Sequence, residues 1–546
     1  MNQSLSSMVV KPATTISEIL TAFIDSQSDL LLIDENCVVA DPHMELLTDY
    51  PRSASAALVA VEKNGDTLVR QNRIASASSA SHKVTIGNRK FVGVLRLSQK
   101  QRTEIIAALE NALTHKVRGN ALDLVLVALT RAMIKVDAAD VWAAPYARSA
   151  EKEERTRVRS SIEKLNMGRV RLSMANRAND GFFSVFFLRK FSKLLTWVAV
   201  KVGATPNQVT LISFAIGLYS AYSFSLGGFW NLFLGALLLQ LSIIVDCVDG
   251  ELARYTRKFS QLGAWLDAVT DRVKEYMVFL GLAIGADKEG RDLWIPAIAM
   301  MLIQTFRHLS DYNYARVTRF RAEEKFLAPV EFTADFDGIV PTEREPKGRL
   351  RYWLGKIIQF PIGERWLAIS ASAVIGGAAF TFTIMPILAF VSAVVVFRGR
   401  FIKTLEMPRT STGKSLISYQ SDLLGLQRSF TKRFDWLEPS LLRLIEGGFL
   451  IWIFASVNQI GIPTFMILFS ILFHHYDNLY RALQDEKKPL WLSALGLFVG
   501  GRILLLGVAA LQNWPLHYFA WYFSVLFLAI SSMQWVLSHR ANKIGR

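Results

Sequence analysis

From residue 208 onward the chain is dominated by apolar runs. They fall at 208–226, 230–247, 265–285, 293–313, 364–383 and 384–397, then at 441–459, 462–476, 490–511 and 515–537. A helix needs about 20 largely apolar residues to cross the hydrocarbon core of a bilayer. The pattern therefore predicts an α-helical polytopic membrane protein with about ten spans. Ahead of these runs, DGFFSVFFLRKFSKLLTWVAVKVG (180–203) is rich in Phe and Leu but interrupted by Arg189, Lys190, Lys193 and Lys201. That spacing predicts a helix lying along the membrane surface rather than across it. Residues 1–170 follow other periods. LLLIDENCVVADP predicts a strand and a turn, and AALVAVE, DTLVRQ, HKVTIG and KFVGVLRLS predict further strands. QRTEIIAALENALTHK and ALDLVLVALTRAMIKV have helical periodicity. An N-terminal soluble α/β domain is the expectation, joined to the spans through a charged helix or linker at 149–165.

Charge assigns sides to the spans. The connections SLGG, NQIG and QNWP lack Lys and Arg, whereas the long connections 314–363 and 398–440 carry many. The excess of basic residues on cytoplasmic loops then places the N-domain, both long loops and the tail HRANKIGR in the cytosol, facing away from the outer side of the cell membrane. The mixed loop ADKEGRD is the one that does not help. MNQSLSSMVVKPATT has no apolar stretch of signal-peptide length, which agrees with a cytosolic start. With a net charge of +16, half its residues hydrophobic and a mean hydropathy of +0.26, the chain does not read as a large soluble enzyme. Its basic residues lie beside apolar runs, so anionic headgroups or phosphate substrates are expected as partners rather than nucleic acid. Cys37 and Cys247, the two cysteines, lie far apart in the sequence and give no disulfide framework. PRTSTGKSL (408–416) contains GKS but has Pro408 where a phosphate-binding loop needs Gly.

The chemistry gathers in DCVDGELARYTRKFSQLGAWLDAVTD (246–271). Asp246 and Asp249 are three residues apart, Asp267 and Asp271 four apart, so each pair shares one face of a helix. No lysine is expected to pair with them on the same turns. Gly250 and Gly263 let helices or a ligand approach closely, and Arg254 follows a turn later. Four carboxylates in one cavity repel each other. Mg²⁺ or Mn²⁺ removes the conflict, and two such ions could polarise a diphosphate while one carboxylate takes a proton from an attacking hydroxyl. The residues alone leave open which carboxylate of the second pair that is.

Asp246, Asp249, Gly250, Ala253, Arg254, Gly263, Asp267 and Asp271 match D-x2-D-G-x2-A-R-x8-G-x3-D-x3-D, and on them the chain resembles the CDP-alcohol phosphotransferase family over about 180–403. The resemblance implies a six-helix membrane core that transfers a phosphoryl-alcohol group from a CDP-alcohol to a hydroxyl acceptor and releases CMP. It implies Asp246, Asp249 and Asp267 as metal ligands, and Asp271 as general base and also close to the second of two ions. Gly250, Ala253 and Arg254, with Gly263, would face the cytidine diphosphate. NDGFFSVFFLRKFSKLL, TPNQVT and PIGERWLAIS are most similar to inositol-phosphate-transferring members. Arg307, Arg316, Arg365 and Arg398 could then cradle the acceptor phosphate, although for any single one of them positive-inside decoration is the better reading. Members of this kind are often dimers, so a homodimer is a further expected partner.

Two alternatives stay open: a phosphatidyltransferase using CDP-diacylglycerol with an alcohol such as glycerol phosphate, and a membrane scaffold or transporter without turnover. The full set of aspartates argues against the second. Residues 1–170 are similar to part of a sugar-nucleotide cytidylyltransferase but lack its Gly-rich phosphate loop. They are therefore expected to form a degenerate nucleotidyltransferase-like domain without activity of its own. Residues 404–546 are expected to form a C-terminal membrane domain of about four spans and unknown function. In it Arg502 would pair with Glu446 or Asp477, and His474 with Asp477 has the spacing to bind a metal.

Overall fold

The computed structural model describes residues 5–48, 54–70, 72–80, 82–176, 181–324, 349–406, 418–420, 427–429, 433–483 and 488–544. The stretch PRTSTGKSL lies outside them. The described residues before 177, together with Arg254–Arg257, form one compact unit, and most of the remainder forms a second.

The first unit is built on a seven-stranded sheet. Its strands are β1 (Ser6–Val10), β2 (Leu30–Asp34), β3 (Ser55–Val61), β4 (Thr67–Arg70), β5 (Arg73–Ala77), β6 (Arg89–Leu97) and β7 (Val136–Asp140), in the order β1-β2-β6-β3-β7-β5-β4. β1 runs parallel to β2 and β3 parallel to β7, while β6 is antiparallel to both β2 and β3. Alternate residues serve opposite faces. Leu30 and Leu32 of β2 join one core with the helices α1 (Ile16–Asp25), α2 (Arg102–Thr114) and α3 (Ala121–Arg131), whereas Leu31 joins a second core with Leu47, Leu58 and Val92. Both faces are thus covered, which explains the nearly unbroken apolar run of LLLID. The predicted α/β class holds, with one strand misplaced. HKVTIG is not a strand: the backbone there is held by side chains, with Ser78 accepting from the Val84 amide at 2.9 Å and Asn88 bonding both the amide and the carbonyl of Val69 at 2.9 Å. A strand stands instead at Arg73–Ala77.

The second unit is helical. A helix α4 (Arg189–Lys201) leads to α5 (Pro206–Ser225), α6 (Phe229–Thr256), α7 (Gln261–Lys288) and α8 (Trp294–Glu324). Then come α9 (Ile362–Glu406), α10 (Glu438–Ser456), α11 (Ile462–Leu483), α12 (Phe498–Leu511) and α13 (Leu516–Ser524), the last continued to Ile544. Helices therefore stand at every predicted apolar run. Among the described residues, five stretches are long and apolar enough to cross a membrane: Phe229–Thr256, Ile362–Leu405, Asp435–Ser456, Leu490–Leu511 and Leu516–Ser538. These five mark an integral membrane protein. The two runs predicted within 364–397 lie in α9, whose helical path is broken at Gly377, where φ of 72° and ψ of −168° are not helical. The break precedes the expected boundary because only glycine takes that conformation without steric cost.

Close packing in this unit relies on small residues. A Cβ at Gly281 or Gly285 of α7 would meet the carbonyl oxygens of Ala221 and Phe224 of α5 at 2.1 and 2.3 Å, so the two backbones touch. α4 buries Ser192, Thr196 and Ala199 and exposes Phe191, Leu194, Trp197 and Val198. Its buried hydroxyls have a specific partner: Glu251 of α6 accepts from Ser192 at 2.8 Å, Thr196 at 2.7 Å and Arg189 at 2.6 Å. Nothing in the spacing of these residues announced that tie.

Candidate active site

Three helices build the site. Thr205 caps α5, with its amide bonded to Gln208 Oε1 at 2.9 Å, and Pro206 follows, so TPNQVT is a helix start. The next turns aim Thr210 and Ser213 at α6. Thr210 donates to Asp249 Oδ2 at 2.5 Å and Ser213 to Asp246 Oδ1 at 3.1 Å. Ser260 caps α7 by accepting from the Gly263 amide at 2.9 Å. A Cβ on Gly263 would lie 2.9 Å from Asn207 Oδ1, so this glycine admits the start of α5.

Asp246 of α6 and Asp267 and Asp271 of α7 converge, each offering an oxygen within 4.8 Å of the others'. This is the one such group of acidic, His or Cys ligands among the described residues. Asp271 Oδ1 is buried with the Lys274 ammonium 3.1 Å away, and the three carboxylates together make an all-oxygen donor set that suits a hard cation. Asp249, buried against Thr210, stands outside the group of three. Gly250 and Ala253 lie half-buried on α6, and Arg254 in its last turn donates from Nε to the carbonyl of Ala175.

One expectation fails here. A lysine does pair with the aspartates. Lys274, with no exposed side-chain surface, places Nζ 2.6 Å from Asp246 Oδ1, 3.1 Å from Asp271 Oδ1 and 2.9 Å from Ser213 Oγ. Its stem fits the notch left by Gly217, where a Cβ would come within 2.7 Å of it. The i,i+3 spacing to Asp271 was readable in VTDRVKEY, but the reach to Asp246 depends on how α6 and α7 pack.

The guanidinium groups divide. Arg365 is buried and gives Nε and Nη2 to the two oxygens of Glu275 at 2.9 and 3.1 Å. Arg272 adds a bond to Glu275 at 2.8 Å and touches His308. Arg365 thus serves an ion pair that sequence reasoning missed. Arg307 donates to the carbonyl of Gln359, and its buried Nη1 has no hydrogen-bond partner. Arg400, not singled out in the sequence, pairs with Asp311 at 2.6 Å and likewise has a buried Nη1 without a hydrogen-bond partner. Arg316 is half-buried on α8 and Arg398 is exposed on α9.

Farther along the chain, Glu446 accepts from Arg502 at 2.8 Å, from His475 at 2.9 Å and from Arg443 at 3.3 Å. Asp477 meets Arg481 and Lys488, each at 3.0 Å, Ser531 at 2.7 Å and the indole Nε1 of Trp265 at 3.1 Å. Arg502 has therefore chosen Glu446. The i,i+3 spacing of His474 and Asp477 allowed a metal, but Asp477 is filled by cations and donors and His474 Nδ1 faces Lys488 at 2.8 Å, so the two residues belong to a buried ion-pair network.

In the first unit, Arg148 gives Nε and Nη2 to Asp34 Oδ2, both at 2.9 Å, and Nη1 to Asp123 at 2.7 Å. A Cβ on Gly93, whose φ is 97°, would press on Arg148 Cδ at 3.0 Å. Burial opposes the Arg148 charge, and Asp123 and Asp34 outweigh it, holding its pKa above the ordinary value. Burial raises that of Asp123 while Arg148 draws it down, with a net rise.

The fold and the cluster define an integral membrane protein with a cation-competent acidic pocket between two helices. Residues 203–335 match the family model described as CDP-alcohol phosphatidyltransferase. Residues 362–544 match a model of a family of unknown function. A bifunctional IPC transferase and DIPP synthase of Archaeoglobus fulgidus is 41% identical over 107 residues, 20% of this chain and 20% of that protein. An archaetidylinositol phosphate synthase of Pyrococcus horikoshii is 39% identical over 84 residues, 15% of this chain and 43% of the relative. A phosphatidylinositol phosphate synthase of Streptomyces avermitilis is 34% identical over 129 residues, 23% and 52% of the respective chains. The similarity thus spans from a fifth to about half the length of these relatives.

Proposed function

We propose that this chain transfers a phosphoryl-alcohol group from a CDP-alcohol to the hydroxyl of an inositol-type acceptor, with release of CMP. The acidic cluster carries the reading: Asp246, Asp267 and Asp271 converge within 4.8 Å inside the segment matched to the CDP-alcohol phosphatidyltransferase model. A divalent cation, when bound, would offset charge on the diphosphate. Asp246 and Asp267 would hold it, with Asp249 kept in place by Thr210 and Asp271 at the cluster's edge. Asp271 would take the proton of the acceptor hydroxyl as its oxygen forms a bond to the phosphorus next to the donor alcohol. The bond from that phosphorus to the bridging oxygen breaks, and CMP departs with the oxygen and its electron pair. Gly250 and Gly263 keep the walls low, and Ala253 and Arg254 complete the surface proposed for the cytidine diphosphate.

The unfilled Nη1 groups of Arg307 and Arg400 suit an acceptor phosphate, with Arg316 and Arg398 at the margin and Arg365 orienting through Glu275. The names of the relatives support an inositol phosphate acceptor, and a homodimer, a ten-span topology and a cytosolic site are parts of the same proposal. Residues 1–170 are proposed to be a degenerate domain that makes no donor, since Arg148 lies between Asp34 and Asp123 where a divalent cation would otherwise be drawn. The boundaries 180–403 and 404–546 complete the proposed division.

The test supplies the purified protein with Mg²⁺, a panel of CDP-alcohols and inositol phosphates, and measures CMP. Release with an inositol-type acceptor, lowered about 10²-fold or more by D271N, is the expected result. Release only with glycerol phosphate would favour the CDP-diacylglycerol alternative. Silence with every pair would overturn the enzyme reading.

A further inference from the structure

We propose that the Lys274 ammonium takes the place of one of two divalent cations, so that this site binds a single metal ion. The inference rests on the metal-dependent transfer proposed above and concerns how many ions the cluster accepts. An ammonium has three N–H donors and no acceptor. Lys274 has three oxygen neighbours, from Asp246, Ser213 and Asp271, at 2.6, 2.9 and 3.1 Å. It has no exposed side-chain surface. The notch at Gly217 encloses its stem, and the ring of Trp366 lies 5.2 Å from Nζ.

An ion between Asp246 and Asp271 would need the oxygens that Lys274 already faces. Making way for it would leave a buried ammonium without its anions, which is strongly unfavourable. The other oxygen of Asp246, with Asp267, remains for one cation, and Asp271 keeps Oδ2 for the acceptor's proton. Lysine also differs from a metal in what it can do. Its charge is fixed to the fold, it cannot exchange with solvent, and it offers protons rather than open coordination positions. It therefore balances the carboxylates when no ion is bound, which relieves their repulsion in the resting protein.

The experiment counts Mn²⁺ ions bound per chain of the full-length protein in detergent, by equilibrium dialysis and by the loss of the free-ion electron paramagnetic resonance signal. One ion per chain is expected for the natural sequence. The K274A protein, which opens the space, is expected to bind two. Two ions on the natural sequence, or a folded K274A protein that still binds one, would overturn the inference and leave the transfer reaction standing. No saturable Mn²⁺ binding at all would overturn the metal-dependent reading and this inference with it. If K274A does not fold, the count on the natural protein alone decides.

Discussion

Glu275 has no exposed side-chain surface, and both of its oxygens are taken by Arg365 while Arg272 shares one. Removing one member of such a buried pair costs about 3–5 kcal/mol, because its partners lose their counter-charge in a low-dielectric interior. E275Q should therefore lower the melting temperature measured in detergent, while E289Q, at the exposed C-terminal end of the same helix, should leave it nearly unchanged. The N-terminal unit gives two predictions of another kind. Burial, assisted by Asp34 and opposed by Arg148, pushes the Cys37 thiol up to about 12. Alkylation follows the thiolate, so mass spectrometry at neutral pH should find Cys37 modified at least tenfold more slowly than an unfolded control. His43 is fully buried and donates from Nε2 to the Trp142 carbonyl at 2.8 Å, and burial lowers its pKa below the ordinary 6.5. The unfolded chain then binds a proton that the folded one refuses. Stability from this group is complete above about pH 6.5 and declines as pH falls below it. Hydrogen-exchange protection around residues 41–48, corrected for intrinsic rates, should weaken from pH 7 to pH 5 and persist better in H43Q.

At the scale of elements, α7 is the helix on which the site depends, and its two sides are held by different means. One side lies on α5 backbone to backbone. The other meets α11 through Trp265, which donates to Asp477, and through Tyr276, whose ring meets Phe469 edge-on at 6.0 Å. D477N keeps the shape but leaves Arg481 and Lys488 short of their carboxylate. It should destabilise by about 3–5 kcal/mol, seen as a lower melting temperature. W265F should cost less, about 1–3 kcal/mol, since Asp477 keeps its cations and loses one neutral donor.

Across the whole molecule, what could be read from the chain was what depends on local spacing. Helix positions in the apolar runs, both aspartate pairs and the α/β character of the first 170 residues each follow from a period or a short interval. What escaped depends on distant segments meeting. Lys274 reaches Asp246 across 28 positions, Arg365 reaches Glu275 across 90, and Arg148 reaches Asp34 across 114. Side-chain ties likewise removed HKVTIG from the strands, which no alternation of apolar residues could reveal. Such a division bears on supply of the donor. If Arg148 neutralises Asp34 and Asp123 as the geometry suggests, the full-length protein given CTP and inositol phosphate, with no CDP-alcohol, should release no pyrophosphate. Pyrophosphate formation would show the first unit to be active.

The contact of Gly281 and Gly285 with the α5 carbonyls sets a limit on redesign. Any larger residue there would have to push apart the two helices that carry Thr210, Ser213, Asp267 and Asp271. That side of the pocket behaves as a fixed die, in which a library of substitutions would yield mostly inactive protein. Variation aimed at the acceptor surface proposed above is better spent on α8 and α9, since Arg307, Arg398 and Arg400 stand on helices other than the two that carry the aspartates.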